Sequence, residues 1–353
     1  MRDIMKKVTV DELKPGMKLA KDIILSDGRF LLLKGFTLKE RYLEKIRMYD
    51  IPYIYVENEI EKVEYFNEEI IYSETLNTVK NVMKSVRDGG SIDVGSVKSA
   101  VSKIVQGIYK NDNVFMRLSG IRDFDNYTYL HSVDVCIYSI IAGKSLNLSP
   151  EMINNLALGA ILHDIGKCKI PLSILNKPAK LSDSEFEIMK KHSEYGYDII
   201  MKTPGLNGDI AKIALNHHEH WNGDGYPKGL KEEEIDLLSR IVAIADVYDA
   251  LTADRVYRKR FMPHQAVEYL ISNSRAQFDP KILNIFMESI AVYPPDIIVM
   301  LSTGEIGKVV QSKGPPSIRP KIMVIARKGG PPVIEPYEVD LAKNPQISVV
   351  DII

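Results

Sequence analysis

The sequence predicts a mainly α protein, with a helical core preceded by a small α/β region and followed by a short β-rich appendage. Three observations predict it. Helix caps and apolar stripes at helical spacing run from about Glu68 to Tyr293. A hairpin signal and one edge-type strand crowd the first segment. After Pro294-Pro295, short apolar runs alternate with glycine and proline turns.

In the first segment, Ile23-Ile24-Leu25 and Phe30-Leu31-Leu32-Leu33 flank Ser26-Asp27-Gly28-Arg29. Asp-Gly between apolar runs favours a tight hairpin, because such a turn needs residues that tolerate positive φ. Thr37 can cap a helix over 38–48, and 51–56 reads as a strand that Pro52 confines to an edge. No catalytic constellation stands here, so residues 1–70 read as a regulatory or dimerising module.

Residues 71–294 form the helical region. Asp88-Gly89-Gly90-Ser91 breaks its first stretch. Ser149-Pro150 pairs an N-cap with proline at the first helical position, and an apolar stripe runs through Met152, Leu156, Gly159 and Ala160 to His163. Gly166 is placed to stop that helix. Ser182-Asp183-Ser184-Glu185 is a capping box opening a helix that carries His192. Further helices are expected from about Asp209 to His218 and from Ser239 through Arg255, with a glycine-rich loop over 221–228. In the appendage, residues 295–353, strands are expected over 297–301, 308–310 and 321–325.

Composition narrows the function classes. The chain of 353 residues is 45% hydrophobic and 26% charged, enough to bury a core without disulfides or structural metal. A formal net charge of -1 supplies no basic field for polymeric nucleic acid. Cys136 and Cys168 fit neither a disulfide framework nor a zinc-finger spacing and read as reduced, packed thiols. No signal peptide follows the basic start, and no stretch approaches the roughly 18 apolar residues of a membrane span. A cytoplasmic protein is expected.

All seven histidines fall between His131 and His264. Five sit on the interior helices or at their ends: His131, His163, His192, His217 and His218. Asp164 follows His163 directly, and Asp246 lies inside the apolar run 241–247. An ionised aspartate is rarely buried unless paired or metal-bound, so Asp246 is either a salt-bridge partner or a ligand. Five histidines and a second aspartate make a metal site the more economical account. Nitrogen and oxygen donors without cysteine favour iron, manganese or zinc in a reactive site over structural zinc. Lys167, one turn beyond His163, brings an ammonium to the same region, either as a phosphate contact or as a lysine favoured by the helix C-terminus.

His131, His163-Asp164-Ile165-Gly166-Lys167, His192 with Gly196, His217-His218-Glu219, Gly223-Asp224-Gly225-Tyr226-Pro227 and Asp246-Val247-Tyr248-Asp249-Ala250-Leu251 together resemble the HD-GYP phosphodiesterases, a branch of the HD metal hydrolases. The resemblance continues through Arg255-Val256-Tyr257-Arg258 and Phe278-Asp279-Pro280, covering roughly 122–291. It implies a helical HD-type core holding two or three metal ions and cleaving cyclic di-GMP to pGpG or on to GMP, with the hybrid cyclic GMP-AMP as another family substrate. His131, His163, Asp164, His192, His217, His218 and Asp246 match the family's metal ligands, with Asp164 as the bridge. Lys167 matches its phosphate-contacting lysine. Tyr226 belongs to the loop beside base and phosphate, and Arg255 and Arg258 lie where basic residues face the substrate.

Some positions depart from the pattern. Tyr127 stands where three-metal members carry a glutamate, so two divalent ions, iron or manganese, and a pGpG product are expected. Asn222 replaces a usual aspartate, and His220 a frequent arginine or lysine; His264 has no evident role. A homodimer and signalling-protein partners are compatible with the accessory regions. Two alternatives stand beside the enzyme: a receptor that binds cyclic di-GMP without turnover, and an HD phosphohydrolase of another nucleotide.

Overall fold

The computed structural model describes residues 5–24, 30–32, 35–38, 40–49, 51, 53–57, 68–118, 127–253, 261–290, 292–293, 297–310, 319–328 and 332–352. The chain divides into two compact units. One comprises residues 66–295 with 311–320; the other joins 1–65 with 296–310 and 321–353.

The N-terminal segment contains β1 (Met5–Thr9), β2 (Ile23–Ile24), β3 (Phe30–Leu32), α1 (Glu40–Arg47) and β4 (Tyr53–Glu57). β1 pairs antiparallel with β4 from Met5↔Glu57 to Thr9↔Tyr53. β2 pairs antiparallel with β3, as the hairpin signal predicts, and the turn itself lies outside the described residues. Val8, Leu19, Leu43, Ile46, Ile54 and Val56 are buried together beneath these strands. Thr37 bridges to Lys18, and Leu38 joins the buried core ahead of α1.

The helical unit runs through α2 (Glu68–Arg87), α3 (Val94–Leu118), α4 (Tyr127–Ser145), α5 (Pro150–Leu162), α6 (Leu172–Leu175), α7 (Asp183–Lys190), α8 (His192–Met201), α9 (Gly208–Asn216), α10 (Leu237–Thr252), α11 (Pro263–Ser272) and α12 (Pro280–Ser289). Side-chain caps set several starts. The Met152 amide donates to Ser149 Oγ, the Ile210 amide to Asn207 Oδ1 and the Ser239 amide to Asp236 Oδ1. Leu156 to Leu162 are buried without interruption, so the second half of α5 has no solvent face and lies at the centre of the unit. α4 packs on α5 and α10, α5 on α9, and α8 on α9.

Three helix ends differ from the sequence expectation. α10 stops at Thr252, short of Arg255, because Ala253 turns to extended backbone (φ -87°, ψ 141°). α5 stops at Leu162, and Gly166 lies beyond it in a 3-10 turn spanning Ile165–Lys169. A Cβ at Gly166 would overlap the His192 carbonyl and crowd the Gly196 amide, so this glycine permits close contact between that turn and α8. The helix opened by the Ser182 capping box also ends early, at Lys190, and His192 begins a separate helix.

β5 (Ile298–Leu301), β6 (Glu305–Val310), β7 (Lys321–Arg327), β8 (Pro332–Asp340) and β9 (Val349–Ile352) form one antiparallel sheet in the order β8-β7-β6-β5-β9. Alternate residues of β7, Ile322 and Val324, are fully buried, as a one-sided sheet requires. β8 carries Pro332 and Pro336, which suits its edge place.

Candidate metal centre

The seven histidine and aspartate side chains singled out in the sequence come together at the ends of α5 and α9, the start of α8 and the interiors of α4 and α10. His163 and His217 are the C-terminal caps of α5 and α9, and His192 is the first residue of α8. His163, Asp164, His192 and His217 are each at most 2% exposed, His131 is 5% exposed and Asp246 9%.

Three of the imidazoles are set by one local device. The last carbonyls of a helix lack intrahelical partners, and a ring nitrogen three residues on can supply one. His163 Nδ1 lies 2.7 Å from the Ala160 carbonyl oxygen, His192 Nδ1 2.7 Å from that of Met189, and His217 Nδ1 3.0 Å from that of Ala214. A carbonyl oxygen only accepts, so each Nδ1 carries the proton and each Nε2 keeps a lone pair. His131 is oriented by a carboxylate instead, donating from Nδ1 to Asp249 Oδ2 at 2.7 Å. Fixing the outer nitrogen in this way defines the tautomer and aim of a metal-binding histidine.

The Nε2 atoms converge on Asp164, whose backbone (φ -98°, ψ 9°) follows the end of α5 and lets adjacent His163 and Asp164 face one point. Asp164 Oδ2 is 3.3 Å from His163 Nε2 and 3.9 Å from His131 Nε2. Its other oxygen, Oδ1, is 3.4 Å from His192 Nε2 and 3.9 Å from His217 Nε2. Asp246 closes the cluster from α10, with Oδ1 3.0 Å from His131 Nε2 and Oδ2 3.8 Å from His218 Nδ1. Two sets of donors thus have metal-binding spacing: His131, His163 and Asp164 in one, Asp164, His192, His217 and His218 in the other. Asp164 belongs to both.

The donor chemistry fits a cation. His163 Nε2 and Asp164 Oδ1 are buried without a hydrogen-bond partner, a costly arrangement that a metal ion relieves. Burial draws the His192 imidazole down to about 4 and the His218 imidazole to about 3, and holds His217 well below its ordinary value, so these rings are neutral at pH 7. Burial pushes the Asp164 carboxyl up, but the Lys167 ammonium beside it holds the group well below the usual carboxylate range. Asp246 is likewise held low against burial, chiefly by His131. For His131, burial opposes charge, yet Asp246 and Asp249 raise its pKa well above the ordinary imidazole value.

Lys167 Nζ lies 2.5 Å from Asp164 Oδ2 as a direct ion pair. Tyr226 stacks beside His218, with ring centroids 4.8 Å apart and planes tilted by 32°. Arg255 and Arg258 lie outside the described residues, as does the side chain of Tyr127. His264 is remote from the cluster in its contacts, with Nδ1 2.7 Å from the Tyr293 hydroxyl.

The loop carrying Tyr226 is held from two sides. Buried Glu219 accepts the Lys228 amide at 2.7 Å and the Leu230 amide at 3.0 Å. The Trp221 and Asn222 amides donate to the carbonyls of Gln277 and Ala276. Asp279 caps α12 and pairs with Arg240 at 2.8 Å, which places the Phe278-Asp279-Pro280 motif beneath the same loop system. Asp249 and Glu219 stand inside the quoted sequence motifs without a role there, and the structure shows them orienting His131 and holding the loop. For Asp249 the available signal is its spacing, three residues after Asp246 on one helix face.

A family model described as HD domain matches residues 133–282, and one described as KOW domain associated with HD domain matches 298–353. The chain is 32% identical over 277 residues to a cyclic di-GMP phosphodiesterase of Pseudomonas aeruginosa, covering 78% of this chain and 67% of that protein. It is 39% identical over 148 residues to a cyclic di-GMP phosphodiesterase response regulator of Xanthomonas campestris, covering 42% of this chain and 39% of that protein. It is 43% identical over 139 residues to a 3'3'-cGAMP-specific phosphodiesterase of Vibrio cholerae, covering 39% and 26%. The chain therefore spans well under half the length of the last two. An HDG"Y"P protein from Bdellovibrio bacteriovorus shares the fold, with a TM-score of 0.55 and 20% identity, over 80% of this chain and 98% of that one. No helix among the described residues is long and apolar enough to cross a membrane. The chain belongs to the HD-domain phosphohydrolases, in their HD-GYP-like branch.

Proposed function

We propose that this chain is a metal-dependent phosphodiesterase that opens cyclic di-GMP to pGpG. The observation that carries the reading is the shared carboxylate. Asp164 presents one oxygen to His131 and His163 and the other to His192 and His217, an arrangement suited to two cations bridged by one group. Divalent ions of iron or manganese, when bound, acidify a water and neutralise charge on the phosphoryl oxygens. His131, His163, Asp164, His192, His217, His218 and Asp246 would hold them.

The remaining roles fall to neighbouring side chains. Lys167 Nζ pairs with Asp164 Oδ2, and the same ammonium would contact a substrate phosphate brought to the cluster. Tyr226 stands beside His218 and bounds the substrate, and Arg255 and Arg258 contact its phosphates or bases. Residues 71–294 act as the catalytic domain, residues 1–70 as a regulatory or dimerising module and residues 295–353 as an appendage.

The test is to purify the chain anaerobically, count its metal and follow products from cyclic di-GMP, cyclic GMP-AMP and a nucleoside triphosphate. Conversion of cyclic di-GMP to pGpG, lost in the His163→Ala/Asp164→Ala double variant, is expected. Tight binding without turnover establishes a receptor instead, and preference for the triphosphate a different HD phosphohydrolase.

A further inference from the structure

We propose that Phe186, Lys190 and Tyr226 form a nucleobase platform beside the histidine and aspartate cluster, an inference that rests on the nucleotide phosphodiesterase reading. Phe186 and Lys190 are one turn apart on α7 and share a face. The Phe186 ring meets Tyr226 edge to face, with centroids 6.3 Å apart and planes at 80°. Tyr226 in turn lies against His218, so it spans the space between the cluster and α7.

Phe186 is 47% exposed, although it is a large apolar residue touching another ring. Its position is nevertheless fixed. The Ser182–Glu185 capping box starts α7, and Lys177 Nζ pairs with Glu185 at 2.6 Å. Lys190 Nζ pairs with Glu187 at 2.6 Å and stands 5.6 Å from the Phe186 centroid and 5.8 Å from that of Tyr226.

The combination fits a purine. Aromatic faces stack on bases, and a lysine ammonium donates to the O6 and N7 acceptors of guanine. A nucleotide whose phosphate sits at the cluster finds this surface one ring further out, past Tyr226. Guanine is therefore the base the platform takes.

The test compares binding of GMP and ribose 5-phosphate to the manganese-loaded full chain by calorimetry, for wild type, Phe186→Ala and Phe186→Trp. Wild type is expected to bind GMP more tightly than ribose 5-phosphate. Phe186→Ala should weaken GMP about tenfold, the scale of one stacked base, leave ribose 5-phosphate unchanged, and be reversed by Phe186→Trp. Equal weakening of both ligands, no weakening of GMP, or a wild type that does not prefer GMP overturns the platform. Turnover assays separate the two claims. Failure to cleave any cyclic dinucleotide, with the Phe186-dependent preference intact, removes the proposed reaction and leaves the platform; turnover without that preference does the opposite.

Discussion

His192 Nε2 and His217 Nε2 face each other at 3.4 Å, and neither nitrogen carries a proton, because each ring donates from Nδ1 to a backbone carbonyl. Two opposed lone pairs repel, and both rings are buried where water cannot screen them. A cation between them turns that repulsion into attraction. Chelation should therefore lower the melting temperature. Metal at a hundredfold excess over its Kd adds about 2.7 kcal/mol to a native-state site, or roughly 5–10 °C for a domain of this size. Thermal scans with chelator and with manganese added back check this; superimposable curves contradict it.

The His131–Asp249 hydrogen bond yields a second expectation. Asp249 accepts from His131 Nδ1 at 2.7 Å and so fixes the tautomer of that ring. Asp249→Asn should weaken metal binding by about 10–100-fold, the scale of losing an outer partner of a ligating histidine. Far-UV circular dichroism should stay unchanged. Metal titration of the variant decides the matter, and wild-type affinity would show that Asp249 only fills space.

Protonation should act in a defined window. An unfolded imidazole titrates near ~6.5. Burial lowers His192 to about 4 and His218 to about 3, and lowers His217 as well. A depressed histidine contributes stability that is complete above the unfolded pKa. That contribution is lost as pH falls, because the unfolded chain then binds protons that the folded one refuses. His131 has the opposite sign: its raised pKa adds stability below about 6.5 that is lost as pH rises. Burial lowers His220 and His264 as well, so five depressed rings outnumber the raised one. Chelated protein should lose stability from about pH 6.5 towards pH 4, above the range in which Asp164 and Asp246 take up protons. His192→Asn should make the decline shallower in melting temperatures read across that range; an unaltered slope contradicts the assignment.

Gly166 gives a steric test. The atoms a new Cβ would strike are the His192 carbonyl and the Gly196 amide, both backbone, so nothing can rotate away. Gly166→Ala should destabilise the chain by about 1–3 kcal/mol, the usual cost of overpacking, and displace His192 from the cluster. Urea denaturation together with metal counting reads both effects. An alanine variant with native stability would mean that the turn and α8 separate easily.

Much of this was legible in the sequence because caps and apolar stripes are local. Ser149-Pro150, the Ser182 box and the Asp88-Gly89-Gly90-Ser91 break each mark a helix boundary in the structure. What resisted reading depends on tertiary contact. Lys191 keeps helix-like angles (φ -63°, ψ -13°), so nothing in its residue type announces the break before His192. Asp249 looks like one more polar residue of α10 until α4 brings His131 onto it. Gly166 reads as a helix stop, whereas its role is to admit a backbone 26 residues away in sequence. β8 hides behind its two prolines, which only an edge position accommodates.

The most direct test of the shared-carboxylate account is metal content per chain, measured on anaerobically purified wild type and Asp164→Asn. Two ions in the wild type, falling below one in the variant with the fold retained, are expected, since both donor sets use that side chain. A variant that keeps the wild-type metal content contradicts the account.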